Sequence, residues 1–350
     1  MSAVVTEPAR RGISVMRIGV FGALLIALVA SMLFAIGAGR FSVSVPRIIE
    51  ILMAGAMNPG LPPTQMDERI VLLVRLPRVL LAALSGAALA VGGAALQGVF
   101  RNPLVSPQVL GISQGAAFGG ALALLFGYAG VVLLGLAFVF GLSALILVGA
   151  LARINGRTEV ITVILSGMVI GALLGALVSI VEFIADPNTS LPAIVYWLMG
   201  SFATATWARL GLAIPGMAIG LLIVFALRYR LNLLALEDSE ARSLGVNPDR
   251  ERWYVFIAIS LMTGTSVAVA GIVGWIGLVV PHAARSLVGE DHRALIPASA
   301  LIGAAYLTFI DTLARTLTAA EIPLGVLTAL IGAPVFGVLL RKHFKEANRP

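Results

Sequence analysis

The sequence contains no cysteine and only three histidines in 350 residues. The missing cysteines exclude a disulfide framework, a thiolate metal site and a cysteine nucleophile. His282, His292 and His343 lack both the H-E-x-x-H spacing and carboxylates at ligand spacing. The two lysines, Lys342 and Lys345, lie in the C-terminal tail, and no G-x-x-x-x-G-K motif is present. We therefore expect no catalytic residue, no metal site, no bound cofactor and no ATPase activity in this chain.

Charged residues are also scarce, at 12% against 59% hydrophobic residues. An ordinary soluble domain carries roughly a quarter charged residues, and a membrane-crossing helix needs roughly 20 apolar residues. The composition therefore predicts an all-α integral membrane protein with about ten crossings. The net charge of +7 sits in short loops between apolar runs, which indicates membrane topology and not nucleic-acid binding.

Ten predominantly apolar spans can be placed along the chain. A hairpin at Gly127–Gly130 divides the second long run, and several glycines divide the run 253–284. Residues 187–208 are polar enough to suggest an interfacial or re-entrant segment instead of a crossing, and residues 39–69 are expected to form a polar outer loop. The spans are 18–38, 79–100, two within 103–152, 160–181, 210–227, two within 253–284, 293–318 and 322–340.

The basic residues set the predicted orientation, because lysine and arginine near span ends stay on the cytoplasmic side. Placing residues 1–17 and 343–350 inside, as cytoplasmic tails of a membrane domain over 18–342, puts most of the 24 basic residues inside. If 187–208 also crossed, the charged stretch 228–252 would face the wrong side. Arginines that remain outside are Arg40, Arg47, Arg69, Arg75, Arg78, Arg209 and Arg315.

Two of these outer positions combine charge with unusual spacing. Arg75-Leu-Pro-Arg78 precedes the second span, where proline restricts its neighbours; the pair suits either contact with carboxylates of a docked protein or snorkelling toward lipid headgroups. Asp311 and Arg315 lie four residues apart on one predicted helix and can form a local ion pair, with Glu321 following at the outer turn. Arg315 is predicted either to complete that helix-end pair or to face a partner or substrate.

The charged inner segment 234–248 resembles a compact helix-turn unit. Ser239 can cap a short helix, Gly245 can end it, and Asn247-Pro248 turns the chain into the next span. The unit is either a solvated connector or a docking site for another protein.

At these residues the chain resembles the FecCD-type permease subunits of ATP-binding-cassette importers for iron-siderophore complexes, haem and cobalamin. The resemblance runs from about residue 18 to 342. The motifs that carry it are Arg75-Leu-Pro-Arg78, Arg101-Asn-Pro-Leu104, Leu110-Gly-Ile-Ser113, Tyr196-Trp-Leu-Met-Gly200, Ala241-Arg-Ser-Leu-Gly245, Gly277-Leu-Val-Val-Pro281-His282, Asp291-His292-Arg293, Asp311 to Arg315, Pro323-Leu-Gly325 and Gly332-Ala-Pro334.

The resemblance implies a ten-helix subunit with an inverted repeat, which forms a homodimer or pairs with a close relative. The translocation path would lie between the two subunits. Two cytoplasmic ATPase subunits, which hold ATP and Mg, and an extracytoplasmic substrate-binding protein would complete the assembly in the lipid of the inner membrane.

Functional residues can be carried over by position. Arg75, Arg78 and Arg315 match outer arginines that pair with glutamates of the binding protein. Asn102, with Pro103 and Leu104, matches a loop of the cytoplasmic gate. The segment that matches the ATPase-coupling helices contains Glu237, Ser239, Ala241, Arg242, Leu244 and Gly245. The proline-rich outer loop 57–66 is longer than in some relatives and receives no role.

The sequence thus predicts an ATP-driven importer permease. Ferric siderophore is the first choice of substrate, because the stretch from Asn102 to Ser113 looks most like siderophore permeases; haem and cobalamin follow, and an oxyanion such as molybdate stays open. The alternative of another class is an ion-coupled secondary transporter with Glu182, Asp311 or Glu321 as a proton relay.

Overall fold

The protein is described by a computed structural model that covers residues 7–58, 62–154 and 157–347. Within these ranges the chain is almost entirely helical, with a two-residue antiparallel strand pair, β1 and β2. The elements are α1 Glu7–Gly37, α2 Val45–Met57, α3 Met66–Arg69, a π-helical stretch Ile70–Arg75, α4 Leu76–Phe100, a 3-10 turn Pro107–Leu110, α5 Ile112–Leu125, α6 Gly130–Ala152, β1 Arg153–Ile154, β2 Arg157–Thr158, α7 Val160–Ile184, α8 Ser190–Leu198, α9 Trp207–Leu234, α10 Asp238–Ser243, α11 Pro248–Ala270, α12 Ile276–Val288, α13 His292–Thr316 and α14 Leu324–Ala347.

The predicted membrane-protein class is confirmed. Seven helical segments of the described chain are long and apolar enough to cross a membrane: α1 from Ile18, the continuous stretch Met66–Phe100, α6, α7, α9, α11 and α13. Three shorter apolar helices, α5, α12 and the first part of α14 to Val338, occupy the remaining predicted spans. A helix of 14 residues such as α5 is only about 21 Å long, against roughly 30 Å of bilayer core. That all ten cross therefore stays a prediction.

Two local predictions are confirmed by the helix boundaries. The chain turns between Leu125, where α5 ends, and Gly130, where α6 begins, as the hairpin at Gly127–Gly130 required. Within 187–208 the structure has α8, a helix of nine residues, and the first two residues of α9. At about 14 Å, α8 cannot cross a bilayer by itself.

The predicted outer loop 39–69 is wrong in its local structure, since it contains α2 and α3. Pro46 lies in the first turn of α2, where its missing N–H costs no hydrogen bond. Ile48 and Ile51, one turn apart, are buried in a small apolar cluster with Val71 and Val79. Residues 59–61 of the loop 57–66, and residues 1–6 and 348–350 of the predicted tails, lie outside the described residues.

The second span also begins earlier than the predicted Val79. Helix runs from Met66 through the π-helical stretch, in which the Leu76 N–H donates to the Val71 carbonyl five residues back. Pro77 then occupies the first turn of α4, because the wider π turn accommodates a residue that cannot donate. Arg75 and Arg78 are consequently part of a continuous helix and do not flank its entrance.

Helix α4 is buried on nearly all sides and is the centre of the bundle. Glycines allow its backbone to approach its neighbours closely. A Cβ added at Gly93 would lie 1.9 Å from the Gly277 carbonyl oxygen of α12, and one at Gly86 would lie 2.1 Å from the Gly303 carbonyl oxygen of α13. These contacts pack α4 tightly against both α12 and α13.

The residues predicted to lie outside and those predicted to lie inside are found at opposite ends of the bundle. At one end Arg78 contacts Glu321, and the Trp207 indole donates to the Leu72 carbonyl. At the opposite end of α4, Arg101 contacts Asp238. We call these the outer end and the inner end, after the predicted topology.

Candidate functional sites at the two ends of the bundle

Arg75 at the outer end is buried, and its guanidinium is used inside the protein. It donates to the carbonyl oxygens of Ile36 at 2.7 Å, Gly37 at 3.2 Å and Phe41 at 2.5 Å. The first two are among the last carbonyls of α1, which lack partners within their own helix. Arg75 therefore caps α1 and complements the negative end of its dipole.

Arg78 forms the central ion pair of the outer end. Its Nε and Nη2 donate to the Asp311 carboxylate at 2.8 to 3.2 Å, and its Nη1 and Nη2 donate to Glu321 at 2.8 and 2.9 Å. Asp311 is only 1% exposed. The hydrogen bond from Arg78 lowers the pKa of Glu321 below its ordinary value, so the Glu321 carboxylate is held as an anion on this guanidinium.

Arg315 completes this cluster from α13. Its Nη1 donates to the Ala38 carbonyl at 2.7 Å and its Nη2 to the Ala35 carbonyl. The predicted pair with Asp311 is present but long, with 3.9 Å between Nε and Oδ2, because Arg78 is the closer partner. In this conformation Arg75, Arg78 and Arg315 thus hold α1, α4 and α13 together, and their role in docking a binding protein stays a prediction.

The inner end presents α10 as a short helix with an exposed far end. Glu237 is the N-cap residue; the prediction that Ser239 caps this helix is wrong, because the helix begins before Ser239, at Asp238. Ala241 is buried against the bundle, whereas Leu244 is 58% exposed. Gly245 adopts φ +82°, a left-handed conformation that favours glycine and ends the helix.

The turn into α11 forms as the sequence suggested. The Asn247 side chain accepts from the Arg250 N–H, and Pro248 begins the helix. Arg242 of α10 pairs with Asp249 at 3.1 Å on the exposed side. The predicted coupling residues therefore form one compact helix-turn unit with apolar and charged groups on its surface.

The loop Arg101–Leu104 follows directly from the inner end of α4. Arg101 has φ +51°, rare for a residue other than glycine. The Asn102 side chain accepts from the Leu104 N–H at 2.9 Å and closes a local turn around Pro103. Leu104 itself is exposed, so the predicted gate residues lie at the surface of the inner end.

Asp238 links these two inner elements and was missed by the sequence reasoning. Its carboxylate accepts from Arg101 Nη2 at 2.8 Å and from Arg252 Nη1 at 2.9 Å and Nη2 at 2.5 Å. The hydrogen bond from Arg252 is the main cause that lowers the pKa of Asp238. The sequence pattern does not indicate that Arg101 and Asp238, 137 positions apart, are in contact.

A cavity of about 910 Å³ lies beside the loop Arg101–Leu104. Asn232 is one of its lining residues. The side-chain amide of Asn232 donates to the Asp291 carboxylate, and its side-chain oxygen accepts from the backbone N–H of His292. Among the described residues, no three histidine or acidic side chains cluster in a way that could hold a metal ion. The lining residues include Gln97, Arg101, Asn102, Pro103, Asn232, His282, Arg285, Glu290, Asp291 and His292.

The apolar helices, the buried outer ion cluster and the helix-turn unit at the inner end are features of a polytopic transport protein. The sequence model of the FecCD transport family matches residues 24–342. The chain belongs to this family and is a permease subunit of an ATP-binding-cassette importer.

Similar proteins span nearly the whole chain. The molybdate import system permease protein MolB of Haemophilus influenzae is 43% identical, with 92% of this chain and 95% of that protein covered. The cobalamin import system permease protein BtuC of Halobacterium salinarum is 40% identical over 84% of this chain and 78% of its own length. The hemin transport system permease protein HmuU of Yersinia pestis is 41% identical over 79% of this chain and 84% of its own length.

A solved structure is similar as well. A metal-chelate type ABC transporter in an inward-facing conformation superposes with a TM-score of 0.83 at 40% sequence identity, covering 92% of this chain and 98% of that one. The similarity supports the helical arrangement of the whole described bundle.

Proposed function

We propose that two copies of this chain form the translocation path of an importer in the cytoplasmic membrane, with both termini inside. Two ATPase subunits bind the inner end, and a substrate-binding protein delivers cargo to the outer end. The observation that carries this proposal is the unit α10–Gly245, which exposes Leu244 and contacts the loop Arg101–Leu104 through Asp238. The family match supports the same arrangement.

The ATPase would bind the surface of α10. Leu244 offers an exposed apolar side chain and Glu237, Ser239 and Arg242 offer polar groups around it, while Ala241 seats the helix on the bundle. An exposed apolar residue within a polar rim is typical of a protein interface. Asn102, Pro103 and Leu104 would form the gate at which cargo leaves.

At the outer end, we propose that acidic groups of the binding protein act on the Arg75, Arg78 and Arg315 cluster. Glu321 is the more exposed of the two carboxylates on Arg78, with 29% of its side chain accessible against 2% for Asp311. A glutamate of a docked protein would replace Glu321 on the guanidinium and leave the buried pair with Asp311 intact. Docking would then change the contacts of Arg78, while Arg75 and Arg315 would keep their hydrogen bonds to the end of α1.

For the substrate we propose a ferric siderophore, supported by the resemblance of the stretch Asn102 to Ser113. Haem and cobalamin are alternatives that use the same mechanism. Molybdate is the second candidate, because the relative with 43% identity is a molybdate import permease.

The test is uptake by the full transporter, reconstituted in liposomes with its ATPase and binding protein. Radiolabelled ferric siderophore, haem, cobalamin and molybdate are offered in turn, each with and without ATP. ATP-dependent uptake of the siderophore supports the proposal, and uptake of molybdate alone transfers it to the second candidate. Proton-driven uptake by the chain without an ATPase would instead support the secondary transporter.

A further inference from the structure

We propose that Asp238 is a positioning residue that ties α10 to the loop Arg101–Leu104, so that a displacement of α10 moves that loop. The inference rests on the proposed function, since it takes α10 as the element that contacts the ATPase and the loop as the gate. Asp238 itself touches neither ATP nor cargo, and it acts through Arg101.

The first side of the connection is rigid. Arg252 lies on the buried helix α11, its side chain is 4% exposed, and it donates twice to the Asp238 carboxylate. Two parallel N–H···O bonds fix a carboxylate in orientation as well as in position. Asp238 is the first residue of α10, so this pair joins α10 to the inner end of α11 as one unit, and a force on the exposed far end at Leu244 reaches the Asp238 carboxylate.

The second side is a single contact to the loop. Arg101 Nη2 donates to Asp238 Oδ1 at 2.8 Å, and Arg101 Nε donates to the Leu234 carbonyl at the end of α9 at 3.3 Å. Arg101 is also the left-handed residue that ends α4, and its backbone leads directly into Asn102. A movement of the carboxylate therefore reaches the loop through one side chain and one peptide unit.

The surroundings leave room for such a movement. A cavity of about 450 Å³ lies against these groups and is lined by Arg101, Glu159, Asp238 and Arg252, among others. The side chains of Arg101 and Asp238 are each more than one third exposed. The two side chains can thus shift together without uncovering the core.

The chain offers a matched control in the pair between Arg242 and Asp249. This pair joins α10 to the start of α11, with 3.1 Å between Arg242 Nη2 and Asp249 Oδ2. Its side chains are exposed to a similar extent as those of the Arg101–Asp238 pair. Among the described residues, neither Arg242 nor Asp249 forms a hydrogen bond or ion pair with the loop Arg101–Leu104. Loss of this pair should weaken the local fold in the same way as loss of the Arg101 pair without affecting the gate.

The experiment uses the complete reconstituted transporter and measures the ratio of cargo imported to ATP hydrolysed. For Arg101→Gln, which keeps the buried Asp238–Arg252 pair, we expect the ratio to fall at least about tenfold, the effect of losing one charge-assisted hydrogen bond, with ATP hydrolysis within about twofold of the wild type. Asp238→Asn, which also weakens the Arg252 pair, should lower the ratio at least as far, and the double variant should be no worse than Asp238→Asn alone. Arg101→Lys should restore part of the ratio, and Asp249→Asn should leave it unchanged.

Each outcome decides a different point. An unchanged ratio in Arg101→Gln, or additive losses in the double variant, would overturn the role of Asp238 while leaving the importer proposal in place. An equal loss in Asp249→Asn would show a general effect of disturbing α10 and would also overturn it. A wild-type transporter that imports no cargo with ATP would instead refute the proposed function.

Discussion

At the scale of single residues, the outer end depends on arginine chemistry. Arg78 satisfies two carboxylates at once, Arg75 donates to the last carbonyls of α1, and Arg315 donates to the Ala35 carbonyl of α1 and the Ala38 carbonyl just beyond it. A planar guanidinium with five donors can do this, whereas an ammonium group cannot match the paired geometry. These internal contacts account for three of the seven arginines that the predicted topology leaves outside.

The Arg78→Gln variant tests the buried pair. It removes the closer cation of the Asp311 carboxylate, which is 1% exposed, and leaves only the longer contact with Arg315 at 3.9 Å. Breaking a buried pair in this way costs about 3 to 5 kcal/mol. We expect a clear fall of the melting temperature of the purified protein in detergent. Arg293→Gln removes an exposed pair with Asp291 and should cost at most about 1 kcal/mol. Equal melting temperatures for the two variants would contradict the assigned burial.

The Glu321 carboxylate predicts a pH dependence. Because the Arg78 hydrogen bond lowers its pKa in the folded protein, Glu321 stabilises the fold above the unfolded pKa of about 4.3. That contribution is lost as the pH falls from about 5 through the folded pKa. The melting temperature of Glu321→Gln should thus fall less between pH 6 and pH 4 than that of the wild type. Parallel curves would refute the pairing.

At the scale of helices, apolar run length predicted most of the fold. The spans and the hairpin at Gly127–Gly130 follow from hydrophobicity and turn residues, which act locally along the chain. Helix α2 was missed because its stability comes from packing of Ile48 and Ile51 against a later helix. The contact between Asp238 and Arg101 was missed for the same reason, since the two residues lie far apart in sequence. The sequence likewise did not indicate that the Arg75 side chain is buried against the end of α1.

The contact between α4 and α12 can be tested at Gly93. A methyl group there would meet the Gly277 carbonyl oxygen at 1.9 Å, and backbone cannot rotate aside. We expect Gly93→Ala to destabilise the protein by about 1 to 3 kcal/mol, as overpacking does. The control is Gly135→Ala on α6, where nothing lies within 4 Å of an added Cβ, and where alanine should be neutral or slightly stabilising. Thermal unfolding in detergent distinguishes the two, and a neutral Gly93→Ala would disprove this close approach.

At the scale of the whole molecule, the two ends are connected by continuous helices. Helix α4 carries Arg78 near its start and leads into Arg101 at its finish, and α13 pairs with it through Gly86 and Gly303. An importer that alternates access needs elements that transmit movement between a docking end and an ATPase end. The glycine-packed pair α4–α13 joins the two ends of the bundle, and α10 and the loop Arg101–Leu104 are exposed at the inner end.

The ATPase interface can be tested with Leu244→Asp. If α10 enters the ATPase, a buried carboxylate without a partner at this position costs several kcal/mol of binding, and an affinity loss of 10²-fold corresponds to about 2.7 kcal/mol. The permease should then insert and fold normally but fail to retain the ATPase during purification. Met57→Asp, the same change at an exposed residue of α2 on the outer end, should leave that association intact. Retention of the ATPase by both variants would place the interface elsewhere on the inner end. Loss of the ATPase in Met57→Asp would show that the added charge acts through the fold and not through contact with the ATPase.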